Sequence, residues 1–361
     1  MKLLFALPGF HNYDRGAEVA LMSVAEELAA TGDDVTLMGS GQPRPGTSYH
    51  FEHIDARARE GFEKWPNFPP LRSETAWEDA SFSVNLLRRY NPSEFDAVVT
   101  CSFPFTHWAL RRPARRKPLQ IFVTQNGDWP AYENRSEYRT FSCDGLVCSN
   151  PDYYERNRKK WNCALIPNGV DLSRFKPGQG DRARFGFPSD KRIILMVSAF
   201  IESKRVLEGI RAVSKMEDAY LVVAGDGPLR NEAQALADGL MPGRFQRISL
   251  TAGEMPLLYQ SVDTFLHLSL LESFGNVFLE AWASGLPIIA HDTERLRWIL
   301  GEYGYLCDTE DQPMLIRTLV DALSSGCTDN SVGIDRFAWS TIAGEYRSFI
   351  SGLKKIASSV P

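Results

Sequence analysis

Two glutamates, Glu272 and Glu280, sit in the run Leu271-Glu272-Ser273-Phe274-Gly275-Asn276-Val277-Phe278-Leu279-Glu280-Ala281. An apolar strand-like run ends near Ser269, Gly275 permits a tight turn, and helical spacing resumes at once. A helix start presents unpaired N–H groups and partial positive charge, which suit a phosphate. At about 1.5 Å per residue, Glu280 would lie roughly 7 Å along that helix, a place to accept hydrogen bonds from ribose hydroxyls. Glu272, in the loop before the helix, would hold a sugar hydroxyl on the other side. The plain alternative is a solvated loop glutamate and a half-buried helical one with a local partner. Spacing alone leaves both readings open.

Such side chains need rigid elements to hold them, and the chain alternates short apolar runs with amphipathic stretches. Residues 2–7, 34–38, 96–101, 119–124, 145–148 and 164–166 read as strands in the first half. In the second half the runs are 193–197, 220–224, 245–250, 264–268 and 287–290. Continuous apolar strands imply burial on both faces, hence parallel sheets covered by helices. Helical spacing marks 17–30, with Leu21, Val24, Ala25 and Leu28 on one stripe, then 206–215, 229–237, 276–284 and 314–324. Residues 170–190 are polar, contain Pro177, Gly178, Gly180 and Pro188, and read as a linker. The expected architecture is two doubly wound α/β domains with a ligand in the cleft between them. A final amphipathic stretch, 337–355, has no following strand and must dock on existing surface. Residues 40–80, with Trp65, Phe68 and Trp77, read as irregular, either functional or a surface excursion over the core.

Composition narrows the function classes. A length of 361 residues favours two domains, and 43% apolar with 24% charged residues is a globular balance. The net charge of −5 does not call for nucleic acid. No apolar run approaches the roughly 20 residues of a membrane span. Residues 1–7 mimic a short signal segment, but Pro8-Gly9 ends it after five apolar residues, so a buried strand is expected. Six cysteines without a C-x-x-C pair point to a reducing, cytoplasmic setting and away from zinc or a disulfide scaffold.

Glu272-x7-Glu280, followed by Ala281-Trp282-Ala283-Ser284-Gly285-Leu286-Pro287-Ile288-Ile289-Ala290, resembles the E-x7-E signature of retaining GT-B glycosyltransferases, family GT4. Further matching pieces fall in order: Ile166-Pro167-Asn168-Gly169-Val170-Asp171 with Phe175 and Pro177, Ala224-Gly225-Asp226-Gly227-Pro228, Tyr259 before Val262-Asp263, and Phe337-Ala338-Trp339. The resemblance covers roughly residues 1–350. It implies a GT-B fold with an acceptor domain over 1–170, a donor domain over 171–339, and a C-terminal helix (340–361) crossing back to the first domain. The implied activity is transfer of a hexose-type sugar, with retention and without a metal, from a UDP-, GDP- or other nucleoside diphosphate sugar to a hydroxyl acceptor. Glycan, envelope polysaccharide and natural-product glycoside synthesis are the implied settings, with no cofactor.

By the same resemblance, Lys204 contacts the donor diphosphate, where a compact ammonium meets the charge growing on the leaving nucleotide. Arg205 stands in for an arginine the family often carries just after the strand, where this chain has Ser198-Ala199-Phe200; the alternative is an exposed basic pair at a helix start. Glu280 anchors the nucleoside, Glu272 the transferred sugar, and Ser273, Phe274, Gly275, Asn276 and Gly225 belong to the donor loops. Gly16 keeps one glycine of the Gly-Gly often found in the first loop, while Glu18 reads as a structural charge at a helix start. Asn126 stands where many relatives have a histidine, and an amide can bind sugar hydroxyls but not exchange protons near neutral pH. Asp128 and His107 are further candidates at the cleft, with a satisfied core histidine as the alternative for His107. Two basic clusters, 111–117 before a strand and 156–160 on a helix, read as solvated faces or as attraction to an anionic or lipid-linked acceptor and a membrane face. A nicotinamide-dependent oxidoreductase fails on Gly9 and Gly16, spaced too widely for G-x-G-x-x-G, and on Gly225-Asp226-Gly227, which lacks the third glycine. A catalytically weak sugar-nucleotide binder and a sugar-nucleotide epimerase on the same fold are the remaining alternatives.

Overall fold

The continuous apolar runs become the interior strands of two parallel sheets. In a computed structural model, residues 1–111, 117–125, 127, 141–325 and 333–359 are described. They divide into two units, Met1–Gly169 with Trp339–Pro361, and Val170–Ala338. The first sheet holds β1 (Lys2–Ala6), β2 (Asp34–Gly39), β3 (His50–His53), β4 (Ala97–Cys101), β5 (Leu119–Val123), β6 (Gly145–Cys148) and β7 (Cys163–Leu165). Its strand order is β3-β2-β1-β4-β5-β6-β7, parallel throughout. The second holds β8 (Arg192–Val197), β9 (Ala219–Ala224), β10 (Phe245–Ile248), β11 (Thr264–His267), β12 (Ile288–His291) and β13 (Gly304–Cys307). Its order is β10-β9-β8-β11-β12-β13, also parallel. Each order reverses once, between β1 and β4 and between β8 and β11. At such a point the loops leaving neighbouring strands diverge and open a crevice at the carboxyl ends.

Burial explains why these segments pair. Leu3, Leu4, Phe5 and Ala6 are all fully buried, as are Ile193, Ile194, Leu195 and Met196, so both faces of the central strands are covered. The helix Gly16–Ala30 lays Ala17, Leu21, Val24, Ala25 and Leu28 on the first sheet. The C-terminal helix Trp339–Ser359 joins the same core through Trp339, Ile342, Ala343, Tyr346, Ile350 and Leu353. Arg347 fixes its register, donating to Asp33 at 2.8 Å and to the Thr31 hydroxyl at 2.6 Å. This helix completes the unit that holds the N-terminal strand.

Three expectations are corrected. Residues 170–190 are no linker: Val170, Phe175, Phe185 and Phe187 lie in the core of the second unit, and Arg182–Phe185 forms a short helix. The segment 40–80 is not uniformly irregular, since β3 pairs with β2 from Thr36↔His50 to Gly39↔His53 and a helix, Glu74–Arg89, begins before it ends. The basic residues 156–160 mostly follow a helix rather than lie on one, because Pro151–Asn157 ends before them. The cluster 111–117 falls largely outside the described residues.

Candidate functional site

The second unit places the candidate side chains around its reversal point. β8 and β11 are direct neighbours, with Thr264↔Ile194 and Phe265↔Leu195 in register. The loop after β8 carries Lys204 and Arg205; the loop after β11 carries Glu272 to Gly275. Both leave the carboxyl edge of adjacent strands, so the crevice geometry of a doubly wound sheet falls on these residues.

Lys204 closes a short 3-10 turn, Glu202–Lys204, and Arg205 follows in the left-handed region at φ 54°. A long side chain held at positive φ is uncommon and needs surrounding contacts to keep it there. Arg205 has them, donating to the Leu268 carbonyl at 3.3 Å, the Thr309 hydroxyl at 2.9 Å and the Thr309 carbonyl at 3.2 Å. Its guanidinium therefore laces the loop after β8 to those after β11 and β13. These bonds give Arg205 a bracing role beside the site.

Lys204 Nζ donates to Glu272 Oε1, and His267 Nε2, at the end of β11, donates to the same oxygen at 2.9 Å. Burial works against a charge on Glu272. The hydrogen bonds and charge from His267 and Lys204 outweigh it and hold the carboxyl down at about 2. Glu272 is thus a fixed anion in a partly buried pocket.

Gly275, at φ 85°, starts the helix Asn276–Ala283. Any side chain there would strike the Phe278 ring, since a Cβ would sit 2.6 Å from its carbons. The turn brings Ser273 and Asn276 beside the helix start, whereas the Phe274 side chain is 3% exposed and belongs to the core, its ring against Phe337. Only the Phe274 backbone can serve an anion. One turn further, Glu280 Oε2 accepts from the hydroxyl of fully buried Tyr259 at 2.9 Å. Desolvation raises the Glu280 carboxyl above its ordinary range, with the Tyr259 hydrogen bond and the charge of Arg174 partly opposing. Gly225 follows β9 at φ 150°, and a Cβ there would lie 2.1 Å from the Ser198 carbonyl oxygen. Absence of a side chain lets the loops after β8 and β9 lie against each other.

The first unit answers differently. Gly16 opens the helix Gly16–Ala30 behind the loop after β1. His107 is no cleft residue: it is fully buried, with Nε2 donating to the Ser142 carbonyl at 2.9 Å and Nδ1 paired to the Thr100 hydroxyl at 2.8 Å. Burial pushes it down to about 4, so it is a neutral core histidine stacked on Phe141. Asn126 and Asp128 lie outside the described residues.

Several side chains escaped the sequence reading. His267 sits in an apolar strand run, and nothing in its neighbours announces a polar task. The Tyr259–Glu280 bond joins residues far apart in the chain. At the reversal point of the first sheet, His11 and Ser102 adopt positive φ, 62° and 71°, in the loops after β1 and β4. Beside them Glu18 is buried and its carboxyl raised by desolvation, lying so close to Gly9 that a Cβ there would meet Oε1 at 2.0 Å. Glu78 is 2% exposed; burial pushes it up to about 7 against the charge of Arg15, and Arg59 donates to its Oε2 at 3.2 Å. The sequence signal for Glu78 was the acidic pair Glu78-Asp79 within an otherwise amphipathic helix, whereas Glu18 was visible as a charge at a helix start.

Two family models match the chain in succession: "Glycosyltransferase Family 4" over residues 15–174 and "Glycosyl transferases group 1" over 179–333. A GDP-mannose-dependent alpha-mannosyltransferase of Corynebacterium glutamicum is 34% identical over 80% of this chain and 72% of its own length. The lipopolysaccharide core biosynthesis glycosyltransferase LpsE of Rhizobium meliloti is 30% identical over 58% of this chain, which spans 60% of that relative's length. Among solved structures, sucrose-phosphate synthase from Thermosynechococcus elongatus shares the fold at TM-score 0.77 and 18% identity, covering 99% and 100% of the two chains. HepE of Anabaena, solved in complex with UDP and glucose, does so at TM-score 0.72 and 17% identity, covering 97% and 99%.

Proposed function

The chain belongs to glycosyltransferase family 4, with the GT-B fold of two parallel-sheet domains, and from that premise we propose that it is a retaining, metal-independent hexosyltransferase using a nucleoside diphosphate sugar. The observation that carries the reading is the convergence of Lys204, Glu272 and the Gly275 helix start at the β8/β11 reversal, with Glu280 one turn deeper. An ammonium beside amides of a helix start suits a diphosphate. A deeper carboxylate, held by Tyr259, suits a ribose diol.

In the proposed reaction the bond between the sugar's anomeric carbon and the diphosphate oxygen breaks, and the nucleoside diphosphate departs with the electron pair. The acceptor hydroxyl oxygen bonds to the same carbon on the same face, and its proton passes to the departing phosphate oxygen. No protein base is required, so Asn126 in place of a histidine is compatible with turnover. Lys204 stabilises the charge that grows on the leaving phosphate, and Glu272 fixes the sugar by its hydroxyls. Holding both partners in line can supply roughly 7–11 kcal/mol of the barrier. Lys204 provides the positive charge that a divalent ion supplies in other transferases, which is the ground for metal independence.

The relatives' printed activities, core lipopolysaccharide synthesis and mannosyl transfer, favour envelope glycan synthesis as the setting. A UDP- or GDP-sugar is the proposed donor, since HepE is solved with UDP and the corynebacterial relative depends on GDP-mannose. An anionic or lipid-linked acceptor and peripheral contact with the inner membrane face fit a groove of about 530 Å³ lined in part by Arg158, with the exposed Lys159, Lys160 and Lys355 next in sequence to lining residues. That groove is lined by Trp161, Phe349 and Ile356 among others, while no described helix is long and apolar enough to cross a membrane. Free cysteines at Cys101, Cys143, Cys148, Cys163 and Cys307 suit the cytoplasmic side.

The test is release of UDP or GDP from UDP-glucose and GDP-mannose, with and without EDTA. The proposal expects release from at least one donor, insensitive to EDTA and reduced at least about hundredfold in Lys204→Ala. Release that needs a divalent ion, or that survives in Lys204→Ala, contradicts it.

A further inference from the structure

His267 raises a question that the donor site alone does not answer. It is 2% exposed and closes β11, with its ring walled by Phe278 at 4.9 Å and Phe265 at 6.1 Å between centroids. Its Nδ1 is buried and has no hydrogen-bond partner among the described residues. A leucine or phenylalanine would fill this apolar wall without stranding a nitrogen, and a buried polar atom without a partner destabilises the fold. What histidine adds is the Nε2–H, aimed at Glu272 Oε1 at 2.9 Å. Because a carboxylate only accepts, Nε2 carries a proton and donates it to Glu272, and Nδ1 is the ring nitrogen left without a partner among the described residues.

Two donors meet on that one oxygen, Lys204 Nζ and His267 Nε2. Convergence fixes the rotation of the carboxylate and leaves Oε2 without a hydrogen bond among the described residues. The two donors are not equivalent. Lys204 sits at the end of a flexible four-carbon stem and is 24% exposed, whereas the His267 side chain is 3% exposed and rigid. A diphosphate is a stronger claimant for the ammonium than a single carboxylate. It has no access to the histidine.

We infer that His267 is the fixed partner of Glu272 and Lys204 the exchangeable one, so that donor binding moves Lys204 onto the diphosphate while His267 keeps Glu272 aimed at the transferred sugar. His267 is a positioning residue: it touches no substrate and acts through Glu272. In the donor-free protein the Lys204–Glu272 pair keeps the two charges neutralised. In the donor complex Glu272 keeps one protein hydrogen bond and gains sugar hydroxyls. The inference rests on the donor-site reading, and predicts an effect on turnover rather than on nucleotide affinity.

The test compares His267→Leu, His267→Gln and His267→Asn with the wild type, each checked for folding by circular dichroism. Two quantities are read: kcat for hydrolysis of whichever of UDP-glucose and GDP-mannose the wild type accepts, and Kd for the matching free nucleoside diphosphate. Gln places its amide N–H about where Nε2 lies; Asn places it about where Nδ1 lies. The Leu and Asn variants are expected to lose about tenfold or more in kcat with Kd changed less than about threefold, and Gln to stay within about threefold of wild type. Unchanged kcat in the Leu variant, equal losses in Gln and Asn, or a loss confined to nucleotide Kd overturns the inference. If Leu does not fold, the Gln–Asn comparison decides alone. A wild type that neither binds nor hydrolyses any nucleoside diphosphate sugar overturns the donor-site reading itself, and this inference with it.

Discussion

Glu272 and Glu280 are the same residue type, yet the fold gives them opposite electrostatics. Glu272 accepts from an ammonium and an imidazole and is held at about 2, while Glu280 has one neutral donor and is raised by burial. The lowered group stabilises the folded state above the ordinary value of 4.5, and that stabilisation is lost as pH falls from 4.5 towards 2. The linkage amounts to about 3 kcal/mol at about 1.4 kcal/mol per pH unit. Wild type is therefore expected to lose urea resistance between pH 5 and pH 3 more steeply than Glu272→Gln. Parallel loss in the two proteins removes the assignment of that charge. Residue spacing made both glutamates visible as candidates. It could not distinguish their environments, because the discriminating partners, His267 and Tyr259, reach them through the fold.

Elements were legible where they are buried on both faces. The runs that became β1, β4, β8 and β9 centre on Leu3-Leu4-Phe5, Val98-Val99, Ile193-Ile194-Leu195 and Leu221-Val222-Val223, and their positions follow from that apolar pattern. Of the edge strands, β7 and β10 were legible as strand runs and two were not: β3 is His50-Phe51-Glu52-His53, polar because one side meets solvent, and β13 begins with Gly304 and Tyr305. The helix Glu74–Arg89 hid for a different reason, since Glu78 and Asp79 are buried within it and interrupt the apolar stripe. Gly225 tests how far the loops at the donor end depend on element contacts. Gly225→Ala forces a methyl against the Ser198 carbonyl and is expected to destabilise the protein by about 1–3 kcal/mol. Gly239→Ala, in the helix Arg230–Leu240 with open space around it, should instead stabilise by about 0.5–1 kcal/mol. Equal denaturation midpoints for the two variants would show that the loop tolerates the change.

The whole chain is two sheets of one design, and only the second brings the expected donor side chains together. Family membership follows from matches that run from residue 15 to residue 333, in agreement with motifs that fall in the same order. The acceptor side stays the least legible part. His107 proved to be core, Asn126 and Asp128 lie outside the described residues, and the first sheet shows buried acids and strained loops at its reversal point in their place. A chain read by resemblance yields what its family shares, the donor chemistry, sooner than what distinguishes its members. The central claim, that the second unit holds a nucleoside diphosphate sugar with Glu280 on the nucleoside, is tested most directly by equilibrium titration of UDP-glucose and GDP-mannose against wild type and Glu280→Ala. Saturable wild-type binding of one donor, weakened about 10- to 150-fold in the variant, is the predicted result, since a hydrogen bond to a charged group contributes about 1.5–3 kcal/mol. Binding of neither donor, or equal affinity in the two proteins, would contradict it.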